Sequence, residues 1–135
     1  MANIALVTAA RVRVVESIHQ MTLPCVEAVV AGQPVRIDTT TGKWTAANGS
    51  SAGEARVWGI VTESKAAGMA VTAIRRGVLD GYVFTQAYDA AIYLSDTDAT
   101  LADSAGTVST IIGRVIPATG TTVGTAFDKV LSIEL

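Results

Sequence analysis

Few side chains in this 135-residue chain have types and spacing suited to chemistry, and they fall into three groups. The first is a thiol and an imidazole, Cys25 and His19, six positions apart and on opposite sides of Pro24. A nucleophile also needs a base and an orienting group, and these are the only cysteine and the only histidine. The plain reading of the pair is a small apolar cysteine near the core and a histidine at a surface or contact. The second group is acidic: Asp96, Asp98 and Asp103 place carboxylates close together, as a hard cation such as calcium prefers. The segment lacks the glycine and glutamate of a helix–loop–helix calcium loop, and aspartates at strand ends also close turns through backbone amides. The third group is basic. Arg75 and Arg76 are adjacent, Arg11 and Arg13 alternate, and seven of the ten basic residues are arginine, the side chain suited to bidentate pairing at protein contacts.

One cysteine makes no internal disulfide, and one histidine builds no multi-histidine metal site. No glycine-rich phosphate loop, zinc spacing or pair of catalytic carboxylates is present, and no residue is assigned to catalysis or to a metal. Of the two tryptophans, Trp58 reads as core. Trp44, beside Lys43 in a polar hairpin, reads either as an exposed anchor or as a cross-strand stabiliser.

A formal charge of -2 and a pI near 5.2 give no general attraction to phosphate backbones or anionic lipid. Half the residues are apolar, yet none of the apolar runs approaches the roughly 18 needed to span a bilayer as a helix. Nucleic acid and membrane are therefore not expected partners. The single unpaired cysteine suits a chain made in a reducing cytoplasm.

The elements that must position these residues are short strands. Alanine, glycine, serine and threonine number 22, 12, 8 and 17, and the scattered glycines would interrupt nearly every helix of useful length. Strand-like runs at 26–30, 34–38, 43–46, 56–63, 70–75, 78–80, 91–95, 111–116 and 127–135 alternate with turn signals. The turns fall at 31–33, 41–42, 48–53, 67–68, Gly77, 103–106 and 119–124. Asn48-Gly49-Ser50 reads as a turn and only formally as a glycosylation sequon. A single helical turn is conceivable at 50–56, capped by Ser51. This predicts an all-β fold, a small barrel or sandwich of short antiparallel strands, forming one β-rich domain over residues 21–135. Residues 1–20 are net +1, against net -3 for the remainder, and read as a first strand or an extended N-terminal arm.

In order along the chain stand Glu16-Ser17-Ile18-His19, Ala31-Gly32-Gln33-Pro34-Val35-Arg36, Thr41-Gly42-Lys43-Trp44 and Val57-Trp58-Gly59-Ile60. Then follow Ala67-Gly68, Arg76-Gly77-Val78-Leu79-Asp80-Gly81, Ala90-Ala91-Ile92-Tyr93-Leu94-Ser95-Asp96 and Ile112-Gly113-Arg114-Val115. With these pieces the region from about Glu16 to Leu135 resembles the capsid cement, or head decoration, proteins of tailed bacteriophages. The resemblance implies a β-rich structural virion protein, often a homotrimer, that binds the major capsid protein on the outside of the head and stabilises the shell, with no enzymatic activity and no cofactor. The expected arm would reach over neighbouring shell subunits, with Arg11, Arg13 and Trp44 as first contacts and His19, Arg75 and Arg76 as further candidates. Two competing expectations are a carbohydrate- or calcium-binding β module using Asp96 and Asp98, and a hydrolase using Cys25 and His19.

Overall fold

The computed structural model describes residues 2–118 and 128–135. The chain is all-β, a curled antiparallel sheet forming a half-barrel. Its strands are β1 (Asn3–Ile4), β2 (Arg13–Pro24), β3 (Pro34–Ile37), β4 (Trp44–Ala46), β5 (Gly59–Val61), β6 (Ala70–Asp80), β7 (Ala91–Leu94), β8 (Leu101–Ala102), β9 (Ile111–Pro117) and β10 (Lys129–Glu134). A short 3-10 turn, Ala9–Arg11, leads into β2. Neighbours run in the order β1-β8-β7-β9-β10-β6-β5-β3-β4, and β2 lies on the other edge of β6.

β6 is the spine. Its first half bonds to β5, through Ile74 and Ala73, and its second half to β10, from Arg76 to Leu79. The opposite edge carries β2 along its whole length, from Arg13↔Asp80 to Pro24↔Ala70. The apolar residues of β6 sort onto two faces. Val71 and Ala73 join a smaller cluster with Cys25, Val29, Val35, Trp44 and Val61. Ile74 and Leu79 join the main core with Ile60, Phe84, Ile92, Leu94, Ile112 and Leu131.

Ile74 and Leu79 are five residues apart, so strict alternation would put them on opposite faces. A bulge resolves this. Cross-strand pairing passes from Gln20↔Ile74 to His19↔Arg76 and skips Arg75, while β2 carries its own extra residues, Val15 and Ile18. Each extra residue reverses the alternation and re-aims the side chains beyond it.

The sequence led to two strands separated by a turn at Gly77; β6 instead runs through. Gly77 has φ +155, and a Cβ there would meet the Glu16 backbone. The glycine therefore serves the close approach of β2 and not a reversal. The run at 26–30 forms no strand: the Val26 amide donates to the Trp44 carbonyl and Val29 makes a single bridge to Lys65, two different neighbours with no continuous ladder. Glu27 accepts from the Ala46 amide and the Thr45 hydroxyl, and Gln33 Oε1 accepts from the Val30 amide. At 50–56 a lone turn closes from the Ala55 amide to the Ser51 carbonyl, 3.0 Å, without continuing into a helix. Asn48 Oδ1 accepts from the Ser50 amide, so the Asn-Gly-Ser stretch is a turn. The two-residue strands β1 and β8 were not anticipated. The expected turn at 119–124 and the start of the last strand at Phe127 lie outside the described residues.

Segment 1–20 supplies β1, the 3-10 turn and the first part of β2. Ile4 is buried in the main core, and β1 pairs with β8. The Val7 amide donates to the Gly81 carbonyl, and Leu6 bridges to Tyr82.

Candidate functional site

Two surface features stand out, and β2 connects them. The first is β2 itself. Among the described residues it bonds to β6 alone, so the backbone groups of its other edge face outward over twelve residues. Along it Val14, Val15 and Ile18 are 45%, 58% and 67% exposed. Val15 and Ile18 are the two bulged residues, lacking cross-strand partners on β6. An unpaired edge bearing exposed β-branched residues is a template for strand addition or for packing against another protein.

The second feature is an aromatic and cationic cluster where β2, β4, β5 and β6 meet. Trp58 is its centre. The Trp44 ring lies 5.3 Å from it, the His19 ring meets it edge-on at 5.4 Å, and the Arg75 guanidinium sits 5.5 Å from its centroid. Arg75 also donates from Nη1 to the Trp58 carbonyl at 3.1 Å. Local structure explains the meeting. Arg75 is the residue skipped by the β6 bulge. Gly59 lets the chain after Trp58 pass against the Ile74 backbone, where a Cβ would collide. Beside this cluster opens a cleft of about 560 Å³, lined by Ile37, Thr39, Arg56, Val57, Trp58 and Arg75.

The sequence candidates divide accordingly. His19, Trp44 and Arg75 come together around Trp58. Arg76 stands next to them, paired across the sheet with His19 on one side and Glu134 on the other. Arg11 ends the 3-10 turn and Arg13 opens β2 opposite Asp80, so both lie at the far end of the strand. Trp44 as an exposed anchor needs correction: it is fully buried, and its indole N–H donates to the Val71 carbonyl at 2.9 Å. Its large apolar ring is needed to fill the smaller cluster, and that carbonyl satisfies the one polar atom it buries. Trp58, expected in the core, is half-buried and bears the surface contacts. Together with Arg56 it was missed as a site residue. The detectable signal was the Arg75-Arg76 pair preceding Gly77, but the bulge that aims Arg75 at Trp58 has no local signature.

The remaining chemistry disperses. The Cys25 thiol is sealed in the smaller cluster against the Ala66 and Met69 carbonyls, at 3.2 and 3.3 Å, whereas His19 stands on the exposed face of β2. Asp96 accepts from Thr107, Asp98 from Asn48 Nδ2, and Asp103 from the Ala2 amide. Each acid ties down a different loop. Among the described residues no three histidine, cysteine or acidic side chains gather as a metal site. Among the described residues no helix is long and apolar enough to cross a membrane. In comparisons with known proteins, no family model, curated protein or solved structure matches the chain.

Proposed function

We propose that the chain is a structural protein of the capsid cement or head decoration kind, acting by adhesion to a repeating protein surface. In this reading copies associate, as a homotrimer, and hold the major capsid protein on the outside of a phage head. The observation that carries it is β2: a twelve-residue strand bonded on one edge, with three exposed branched apolar side chains. The resemblance in the turn and strand motifs supports the same reading. Adhesion of this kind gains from multiplicity. Several linked contacts per oligomer raise avidity by about 10² to 10⁴ when geometry allows simultaneous engagement.

Because Ile4 is part of the core, deleting residues 2–15 would unfold the domain and test nothing. Point substitutions on β2 are the cleaner tool. The wild-type protein is expected to have an oligomeric mass in solution and to co-sediment with expanded empty heads of the phage that encodes it. The Val15→Ser, Ile18→Ser double variant is expected to keep its melting temperature and lose co-sedimentation. A wild-type monomer that stays in the supernatant would overturn the reading.

A further inference from the structure

The cleft beside Trp58 brings two arginines together in a chain whose formal net charge is -2. Arg56 and Arg75 both line it, and neither has an acidic side chain within 4 Å among the described residues. The acids closest in sequence are engaged elsewhere: Asp38 Oδ2 accepts from Thr41, and Glu54 Oε2 accepts from Ser50 Oγ. Arg75 is also oriented in advance. One N–H is fixed on the Trp58 carbonyl and the guanidinium sits on the Trp58 ring, and its other donors have no hydrogen-bond partner among the described residues. Thr39 adds a hydroxyl, while Ile37, Val57 and the Trp58 ring make the remaining wall apolar.

We propose that this cleft is a carboxylate-binding site, taking a ligand whose carboxylate is joined to a flat or branched apolar group. The planar forks of two arginines match a carboxylate bidentately. The apolar wall suits the group attached to it and leaves a phosphate's outer oxygens without donors on that side. The inference stands apart from shell binding, because it depends on the cleft and not on the outer edge of β2.

The test is a titration of isotope-labelled full-length protein at constant ionic strength, following the Trp58 indole N–H and the arginine Nε–H signals by NMR. The probes are 3-phenylpropionate, its uncharged amide, the blocked dipeptide acetyl-Phe-Glu-amide and inorganic phosphate. Saturable shifts with 3-phenylpropionate or the dipeptide, and none with the amide, are the expected result. Binding of the dipeptide alone assigns the carboxylate to a protein side chain, and binding of the free acid alone assigns it to a small molecule. The exposed Arg56→Gln variant should keep its melting temperature and bind about tenfold more weakly or worse, since a hydrogen bond to a charged group is lost. Arg75→Lys should weaken binding while retaining the charge. Equal shifts with acid and amide, tighter binding of phosphate than of either carboxylate, or unchanged affinity in Arg56→Gln would each overturn the proposal.

Discussion

β2 and β10 flank the same half of β6, and Leu79 pairs with Val14 on one side and with Leu131 on the other. Their fates are opposite. Leu131 is fully buried, while Val14, its counterpart, is nearly half exposed. Both strands carry branched apolar residues, so composition does not separate them. The neighbours do: β10 has β9 on its far side and the main core against its face, whereas β2 has β6 alone among the described residues. Apolar residues on β10 stabilise the fold, and those on β2 are free to stabilise an encounter.

The largest effect expected from this contrast comes from truncating equivalent side chains on the two strands. Leu131→Ala should cost about 2–5 kcal/mol in urea unfolding, because it opens a cavity in a sealed core. Ile18→Ser, at the most exposed apolar position of β2, should stay within about 0.5 kcal/mol of wild type. A loss at Ile18 comparable with that at Leu131 would mean that β2 is a folding element like β10 and would erase the distinction.

Next in size is a substitution that separates the two seams. Gly77 pairs with Ser17 on β2 and Ile133 on β10, but the nearest atoms a Cβ there would meet are the Glu16 backbone on β2 and the Ile74 side chain of β6 itself. Gly77→Ala should therefore cost about 1–3 kcal/mol through backbone strain. Hydrogen exchange should show lost protection in β2 amides bonded to β6 while β10 amides remain protected. Equal loss on both sides would show that the seams open together.

The all-β character and most strand positions were legible in the sequence, because turn residues punctuate apolar runs where the chain reverses. Gly77 shows the limit: a glycine that ends a strand and a glycine that lets a neighbour come close look alike until the neighbour is placed. Trp44 and Trp58 show it again. Polar neighbours suggested exposure for Trp44 and apolar ones suggested burial for Trp58. The outcome was set instead by the β3–β4 hairpin folding Trp44 beneath Val71 and by a bulge that leaves Arg75 over Trp58. The cleft is built from three separate stretches of chain, around 37–39, 53–58 and Arg75, and nothing in any one of them announces it. Arg11 and Arg13 were visible as a charged pair, but their distance from the cluster follows from the register of β2.

A smaller effect probes the interior side. Tyr82 lies one glycine beyond the end of β6 and is buried, and its hydroxyl donates to the Gly32 carbonyl at 2.7 Å. Burial pushes the phenol far above its ordinary value. A group whose folded pKa is raised contributes stability that is complete below its unfolded pKa, about 10 for tyrosine, and that falls as pH rises beyond it. The melting temperature should therefore decline steeply above about pH 10. Tyr82→Phe should cost about 1 kcal/mol at neutral pH and flatten that alkaline decline. An unchanged slope would assign alkaline unfolding to other groups.

The smallest effect concerns the exposed hairpin between β3 and β4, which carries Trp44 into the smaller cluster from a solvated tip. Asp38 is held below its ordinary carboxylate value, chiefly by the Thr41 hydroxyl at 2.6 Å, with further help from the Thr41 amide. Here the sign is the reverse of the tyrosine's. The contribution is complete above the unfolded aspartate pKa, about 3.9, and is lost as pH falls through the lower folded value. Amides at 39–43 should lose exchange protection in that acidic window, and Asp38→Asn should show the same loosening at neutral pH. Because the carboxylate is solvated, the global melting temperature should barely move in either case. If acid instead lowered global stability together with hairpin protection, the tip and the buried Trp44 would be opening as one unit. The hairpin would then belong with β10 on the folding side of the contrast and not with β2.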